Sequence, residues 1–333
     1  MTTFATTFDA LLLDLDGTVF CGHEPTPGAV DAVAEIPART FWVTNNASRS
    51  ADQVADHLHS MGFPADPDDV ITSAQAGARM LADRLAPGSR VLVLGSASLA
   101  GEVRAVGLEP VRTFDDAPAA VIQGYSPDIG WADLAEAALA IQSGALWVAT
   151  NLDLTLPSER GLLPGNGSLV AAVRVATGVE PLVAGKPART MMDAALARGE
   201  FAHPLVVGDR LDTDIAGANA AGLPSLVVLT GVCTPATLVR AIPEERPSYL
   251  THDLRGLFAP VAEALIGPHP AWHTDVGPDG AVTVFATGEP GDDLSVVRVA
   301  ADALWSQRIG ADPELRPGDE AAAGALRRWS LLA

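Results

Sequence analysis

The chain has little cysteine, a single lysine and no long apolar run, and each shortage argues against a class of protein. Its two cysteines, Cys21 and Cys233, are too few and too far apart for a disulfide framework or a zinc site. No apolar stretch approaches membrane-spanning length, so no membrane partner is expected. Met1-Thr2-Thr3-Phe4 lacks the basic start and cleavage site of a signal peptide, which leaves a cytoplasmic enzyme as the expectation. Basic residues number 21 against 41 acidic ones, a formal charge of −20, and none are clustered to meet a phosphate backbone. Nucleic acid is therefore not expected as a partner. An anionic substrate would need a local positive site from a metal, a lysine or a helix N-terminus. The only lysine is Lys186, in Ala184-Gly185-Lys186-Pro187 just after a short apolar stretch; chance, and a need for a compact ammonium where a guanidinium fork would not fit, are both open readings.

What is present is an apolar majority ordered as alternating strands and helices. Hydrophobic residues make up 48% of 333 and charged ones 19%, enough to bury a sizeable core in two domains or in one large domain with an insertion. Short apolar strands at Ala10–Leu13, Thr40–Thr44, Pro181–Ala184, Pro204–Gly208 and Leu226–Leu229 alternate with helical segments, including about Pro27–Ile36, Ser50–Met61 and Ser73–Leu85. A second series starts at Val91–Gly95 and runs through Ala119–Ile122, a Trp131–Gln142 helix and Ala145–Ala149. A Pro- and Gly-rich loop over Asn151–Gly167 follows, and then a helix ending near Gly178. The expected class is α/β, a Rossmann-like parallel core with an inserted α/β domain and a small α+β C-terminal segment. Its bounds are read as 1–83 with 180–262 for the core, 84–179 for the insert and 268–333 for the accessory segment.

Four segments carry the chemistry, and each follows a predicted strand. They are Asp14 with Asp16, Thr44-Asn45, Lys186, and Gly208-Asp209 through Asp214. In one parallel sheet all four meet at the carboxyl edge, where open α/β sheets bind ligands. Asp14 and Asp16 lie two positions apart, so on an extended chain their side chains point the same way, and burying them calls for a cation between them. A strand followed by a solvated acidic turn would explain that pair alone, but not the three further matches in order.

In these motifs the chain resembles the haloacid dehalogenase superfamily, over about residues 8–260, in the branch with a large α/β cap between the second and third motifs. That branch includes the 4-nitrophenylphosphatase-like, phosphoglycolate and pyridoxal-phosphate phosphatases. The pattern, with its additional tail, is similar to that of the actinobacterial glycerol 3-phosphate phosphatases. The resemblance implies Asp14 as nucleophile, forming an aspartyl-phosphate, and Asp16 as the acid that protonates the leaving alkoxide and then deprotonates the attacking water. It implies Mg²⁺ held by Asp14, the backbone carbonyl of Asp16 and Asp209, with Asp214 orienting the waters or Lys186. Thr44 and the amide of Asn45 would hold phosphoryl oxygens and Lys186 would balance charge. Asn46 is open between substrate contact and helix capping. In the cap, Asn151 and Asp153 resemble the family's substrate-facing loop, while Ser158, Glu159 and Arg160 read as ordinary surface loop. An Asp at position 16 matches phosphatases and phosphomutases rather than dehalogenases or ion-pumping ATPases.

The expected activity is hydrolysis of a small phosphorylated metabolite, with glycerol 3-phosphate first and 2-phosphoglycolate or broad 4-nitrophenyl phosphatase activity as the alternative. A phosphotransferase and a catalytically idle binding protein are the rivals, and the family pattern allows a homodimer. Cys21 reads as an inert small residue rather than a redox control point, and Asp212 as a solvated loop residue. Gln307–Asp312 partly mimics a coenzyme A loop but ends in Asp where a small residue is required. The tail, with three of the six tryptophans, therefore reads as a packing or dimerisation module.

Overall fold

The structure, a computed structural model, describes residues 2–158, 160–307 and 313–332. It forms two compact units, Met1–Thr40 with Phe201–Ala333, and Phe41–Glu200. No helix among the described residues is long and apolar enough to cross a membrane. The α/β class expected from the sequence is observed, with parallel sheets layered by helices and a small mixed C-terminal segment.

In the first unit, strands Tyr249–Thr251, Ser225–Val228, Pro204–Gly208 and Ala10–Leu13 lie side by side in that order, all parallel. Ala10–Leu13 is wholly buried, as its unbroken apolar run requires of a strand covered on both faces. Leu13 pairs with Val207, and the amide of Asp14 donates to the Val207 carbonyl at 2.9 Å. Asp14 and Asp209 therefore leave neighbouring strands at the same end. After Asp209 the chain makes a widened, π-type turn over Leu211–Ile215 before the helix Ala216–Ala221.

The C-terminal segment belongs to this unit. Trp272–Val276 runs antiparallel to Val282–Ala286, which pairs parallel with Leu315–Pro317, a strand the sequence reading did not identify. Helices Ser295–Trp305 and Glu320–Arg328 complete the segment. Val282, Leu294, Val297, Leu315 and Leu326 share one apolar core with Ile215, Val227, Leu238 and Leu250. The tail is thus a packing module on the parallel sheet of its own unit. Of the coenzyme A-like stretch, Arg308–Asp312 lies outside the described residues.

In the second unit, Trp42–Thr44 pairs parallel with Val70–Thr72. A separate parallel sheet of five strands has the order Leu182–Val183, Leu146–Ala149, Ala120–Gln123, Arg90–Leu94, Glu109–Val111. On one face Leu92, Val121, Trp147 and Ala149 pack with Ala137, Ile141, Val170 and Val173 of helices Trp131–Gln142 and Asn166–Thr177. Gly77 of helix Ser73–Ala82 lies close to Ile122 and Ala184. Ser50 caps helix Ala51–Ser60 in a reciprocal capping box with Gln53, and Gly62 leaves it at φ 95°.

Two expectations are corrected here. Leu182-Val183 does not resume the first series of strands: it pairs with Val148-Ala149 at the edge of the five-stranded sheet. The stretch Asn151–Gly167 is not loop throughout, because Thr155–Ser158 and Gly161–Pro164 form an antiparallel hairpin. Both strands are four residues long and each contains a proline, so no alternation in the sequence marks them. Arg160 is exposed at the hairpin turn, and Glu159 lies outside the described residues.

Candidate active site

Three carboxylates converge in the first unit. Oxygens of Asp14, Asp209 and Asp214 lie within 4.8 Å of one another, with Asp209 and Asp214 buried and Asp14 half-buried. Adjacent strands supply the first two, and the turn after the second supplies Asp214. Glycines allow the approach: a side chain at Gly208 would overlap Asp214, and a Cβ at Gly17 would sit 2.5 Å from Asp209 Oδ2. Gly17 also needs the left-handed backbone, at φ 91°.

Asp209 is held from several sides. Its Oδ2 accepts from the Val232 amide at 2.6 Å and its Oδ1 from the Thr18 hydroxyl at 3.3 Å, while its carbonyl accepts from the Cys233 amide at 2.8 Å. Thr230 donates its hydroxyl to the Gly17 carbonyl at 2.6 Å, so one loop fixes both partners. Asp214 Oδ2 accepts from the Arg210 amide at 3.0 Å. Three carboxylates this close repel one another strongly unless a cation lies among them, and an all-oxygen donor set suits a hard ion such as Mg²⁺ or Ca²⁺. The residues present therefore fit the expected magnesium. Asp16 is exposed and its carboxylate is outside the cluster. Asp212, expected in solvent, is exposed and paired with Arg210 at 2.8 Å.

Both thiols of this unit are held above their ordinary range. Burial, followed by the negative charge of Asp209 and Asp16, pushes the Cys21 thiol above its usual range. Burial pushes the Cys233 thiol up to about 12.

The second unit gathers most of the remaining candidates. Thr44 and Lys186 are buried, and the Lys186 ammonium donates to the Val43 carbonyl at 3.1 Å. The Asn45 side chain meets Lys186 through two hydrogen bonds, Lys186 N–H to Asn45 Oδ1 at 2.8 Å and Asn45 Nδ2 to the Lys186 carbonyl at 3.2 Å. Asn151 donates to the Asn45 carbonyl at 2.7 Å, and Asp153 Oδ2 accepts from Asn45 Nδ2 at 3.4 Å. Asn46 accepts from the Ser48 amide and hydroxyl at 2.9 and 2.7 Å, an Asx turn leading toward the next helix.

Sequence reasoning missed the Thr230-Gly231-Val232 loop. The available signal was its place just after the apolar strand Ser225–Val228, a further strand end beside the others. Its main contribution is a backbone N–H, which no residue type advertises.

Comparisons with known proteins agree with this geometry. The haloacid dehalogenase-like hydrolase model matches residues 11–109, a HAD-hydrolase-like model residues 183–257, and a GCN5-related N-acetyltransferase-like domain residues 269–331. The chain is 58% identical to the D-glycerol 3-phosphate phosphatase of Mycobacterium tuberculosis over 343 residues, covering 100% of this chain and 97% of the relative. It is 35% identical to an acid sugar phosphatase of Staphylococcus saprophyticus over 74% of this chain and 95% of the relative. The crystal structure of glycerol phosphate phosphatase from Mycobacterium tuberculosis in complex with magnesium superposes with a TM-score of 0.96 at 58% identity, covering 100% of both chains.

Proposed function

The chain belongs to the haloacid dehalogenase-like hydrolases, and on that footing we propose that it is a Mg²⁺-dependent phosphomonoesterase whose preferred substrate is glycerol 3-phosphate. The observation that carries the reading is the convergence of Asp14, Asp209 and Asp214 at the ends of adjacent parallel strands. The substrate rests on the 58% identity with a D-glycerol 3-phosphate phosphatase across the whole chain.

Asp14, Asp209, Asp214 and the Asp16 carbonyl would hold the metal. Bound there, Mg²⁺ supplies the positive charge that lets an anionic ester approach an anionic nucleophile. The reaction assigned to the side chains has two steps. An Asp14 oxygen bonds to phosphorus as the bond from phosphorus to the glycerol oxygen breaks, and Asp16 gives that oxygen its proton. Asp16 then takes a proton from water, whose oxygen displaces Asp14 and releases inorganic phosphate. Thr44 and the Asn45 amide hold phosphoryl oxygens, Lys186 offsets their charge, and Asn46, Asn151 and Asp153 contact the substrate.

The domains in this reading are a core of 1–83 and 180–262, less the strand Leu182–Val183 that joins the five-stranded sheet, a cap of 84–179 and an accessory segment of 268–333. The partner is a small phosphorylated metabolite in the cytoplasm, with no nucleic acid or membrane, and the family pattern allows a homodimer. Free phosphate released from a panel of phosphorylated metabolites, with and without EDTA, tests the proposal. Metal-dependent release greatest with glycerol 3-phosphate supports it. Preference for 2-phosphoglycolate would move the substrate, and no release from any ester would favour an idle binding protein.

A further inference from the structure

We propose that the Asn45 side chain is a positioning residue that fixes the main chain of Lys186 and couples it to the 151–153 loop; this rests on the proposed phosphatase reading, in which Lys186 balances phosphoryl charge. The carboxamide treats Lys186 as a neighbouring strand would. Its oxygen accepts the Lys186 N–H at 2.8 Å and its nitrogen donates to the Lys186 carbonyl at 3.2 Å. The same nitrogen reaches Asp153 Oδ2 at 3.4 Å. These partners fix the amide orientation, because a flipped amide would face an N–H with its NH₂ and present its oxygen to a carbonyl and a carboxylate.

The backbone of Asn45 is engaged as well. Its carbonyl accepts from Asn151 Nδ2 at 2.7 Å and from the Ser73 hydroxyl at 2.6 Å. Asn151 Oδ1 in turn accepts the Asp153 amide at 3.2 Å, and Asn166 Nδ2 donates to the Asn151 carbonyl at 2.8 Å. Gly185 makes the contact possible, since a Cβ there would lie 2.6 Å from Asn45 Oδ1 and would overlap the Thr150 carbonyl. Together with the Val43 carbonyl at the lysine head, 3.1 Å from Nζ, residues 43 and 45 template both ends of Lys186. The side chain of Asn45 thus acts through Lys186, while the substrate-facing role stays with its backbone amide. Movement of Asp153 on binding a leaving group is felt at Lys186 through one shared amide.

The test is a double-variant cycle on the full chain. Asn45→Asp keeps the acceptor for the Lys186 N–H but sets a carboxylate oxygen against the Lys186 carbonyl and Asp153. We expect kcat/KM for 4-nitrophenyl phosphate to fall ~100-fold, the loss that follows when a half-buried partner with two directional hydrogen bonds is replaced by a repelling one. Adding Asp153→Asn restores a donor opposite that carboxylate and should recover about tenfold. Hydrogen exchange of the peptide containing Lys186 should be faster in Asn45→Ala than in the native chain. Independent, multiplying losses in the cycle, or unchanged exchange at Lys186, would overturn the coupling. A native chain with no phosphatase activity would instead overturn the underlying function, and the exchange measurement would still decide the clamp.

Discussion

The backbone amide of Val232 donates to Oδ2 of Asp209 across 2.6 Å, and the residue between Thr230 and Val232 is a glycine with no room for a side chain. One carboxylate oxygen is thereby directed at the loop, and the other lies 3.3 Å from the Thr18 hydroxyl. The loop after Ser225–Val228 consequently sets the orientation of a proposed metal ligand. A methyl group at Gly231 would overlap the Asp209 carboxylate and force it to turn. Gly231→Ala is expected to raise the Mg²⁺ concentration for half-maximal activity by roughly 10- to 100-fold, the range found when groups supporting a metal ligand are lost. A magnesium titration of initial rates checks this, with circular dichroism to show that the variant is folded.

Cys21 offers a reporter of the same cluster. Its thiol is held above the usual range by burial first and by the charge of Asp209 and Asp16 next, and only the thiolate reacts with iodoacetamide. A cation among the carboxylates reduces that negative charge, lowers the thiol pKa and raises the thiolate fraction at fixed pH. Mg²⁺ should therefore speed alkylation of Cys21 at pH 8, and Asp16→Asn should speed it without metal. Cys233, with its thiol pushed up to about 12, stays unlabelled in both cases. A Cys21 rate indifferent to Mg²⁺ would put the ion elsewhere.

The C-terminal segment shares its core with the sheet that carries Asp14 and Asp209. Leu294 has no exposed surface and lies in the cluster that joins Val282 and Leu326 to Val227 and Leu250. Leu294→Ala should cost about 2–5 kcal/mol, the range for emptying a leucine site in a packed core. Urea unfolding read by tryptophan fluorescence would show it.

Asp319 makes the same segment sensitive to acid. Its carboxyl is held below the usual range by the amides of Ala322 and Ala286. A depressed folded-state pKa adds stability above the unfolded value of about 3.9, and that stability is lost as pH falls through the folded value. Asp319→Asn should lower Tm at neutral pH and flatten the fall in Tm seen on acidification.

The sequence was most legible where burial left little choice. Ala10–Leu13 and Pro204–Gly208 are apolar throughout because both faces are covered, and their charged successors stand out for that reason. The 155–164 hairpin was illegible because proline and leucine side by side carry no period. Leu182-Val183 reads as a strand from its apolar pair, but two residues of register hold too little pattern to name the sheet it joins. Asp14, Asp209 and Asp214 are legible as a set because acidic segments after apolar strands recur in order with Thr44-Asn45 and Lys186, which one solvated turn would not explain. The clamp on Asp209 was not, because it consists of the Val232 N–H and a missing side chain at Gly231. Asn45 was read for its backbone, and its side-chain pairing with a residue 141 positions away emerges only from the fold.

The most direct test of the account is a rapid acid quench of the enzyme turning over glycerol 3-phosphate with Mg²⁺, followed by peptide mass spectrometry. The account predicts an alkali-labile phosphoryl group on Asp14, absent from a folded Asp14→Asn chain that no longer releases phosphate. Steady phosphate release with no phosphorylated peptide, or an Asp14→Asn chain that still turns over, would contradict it.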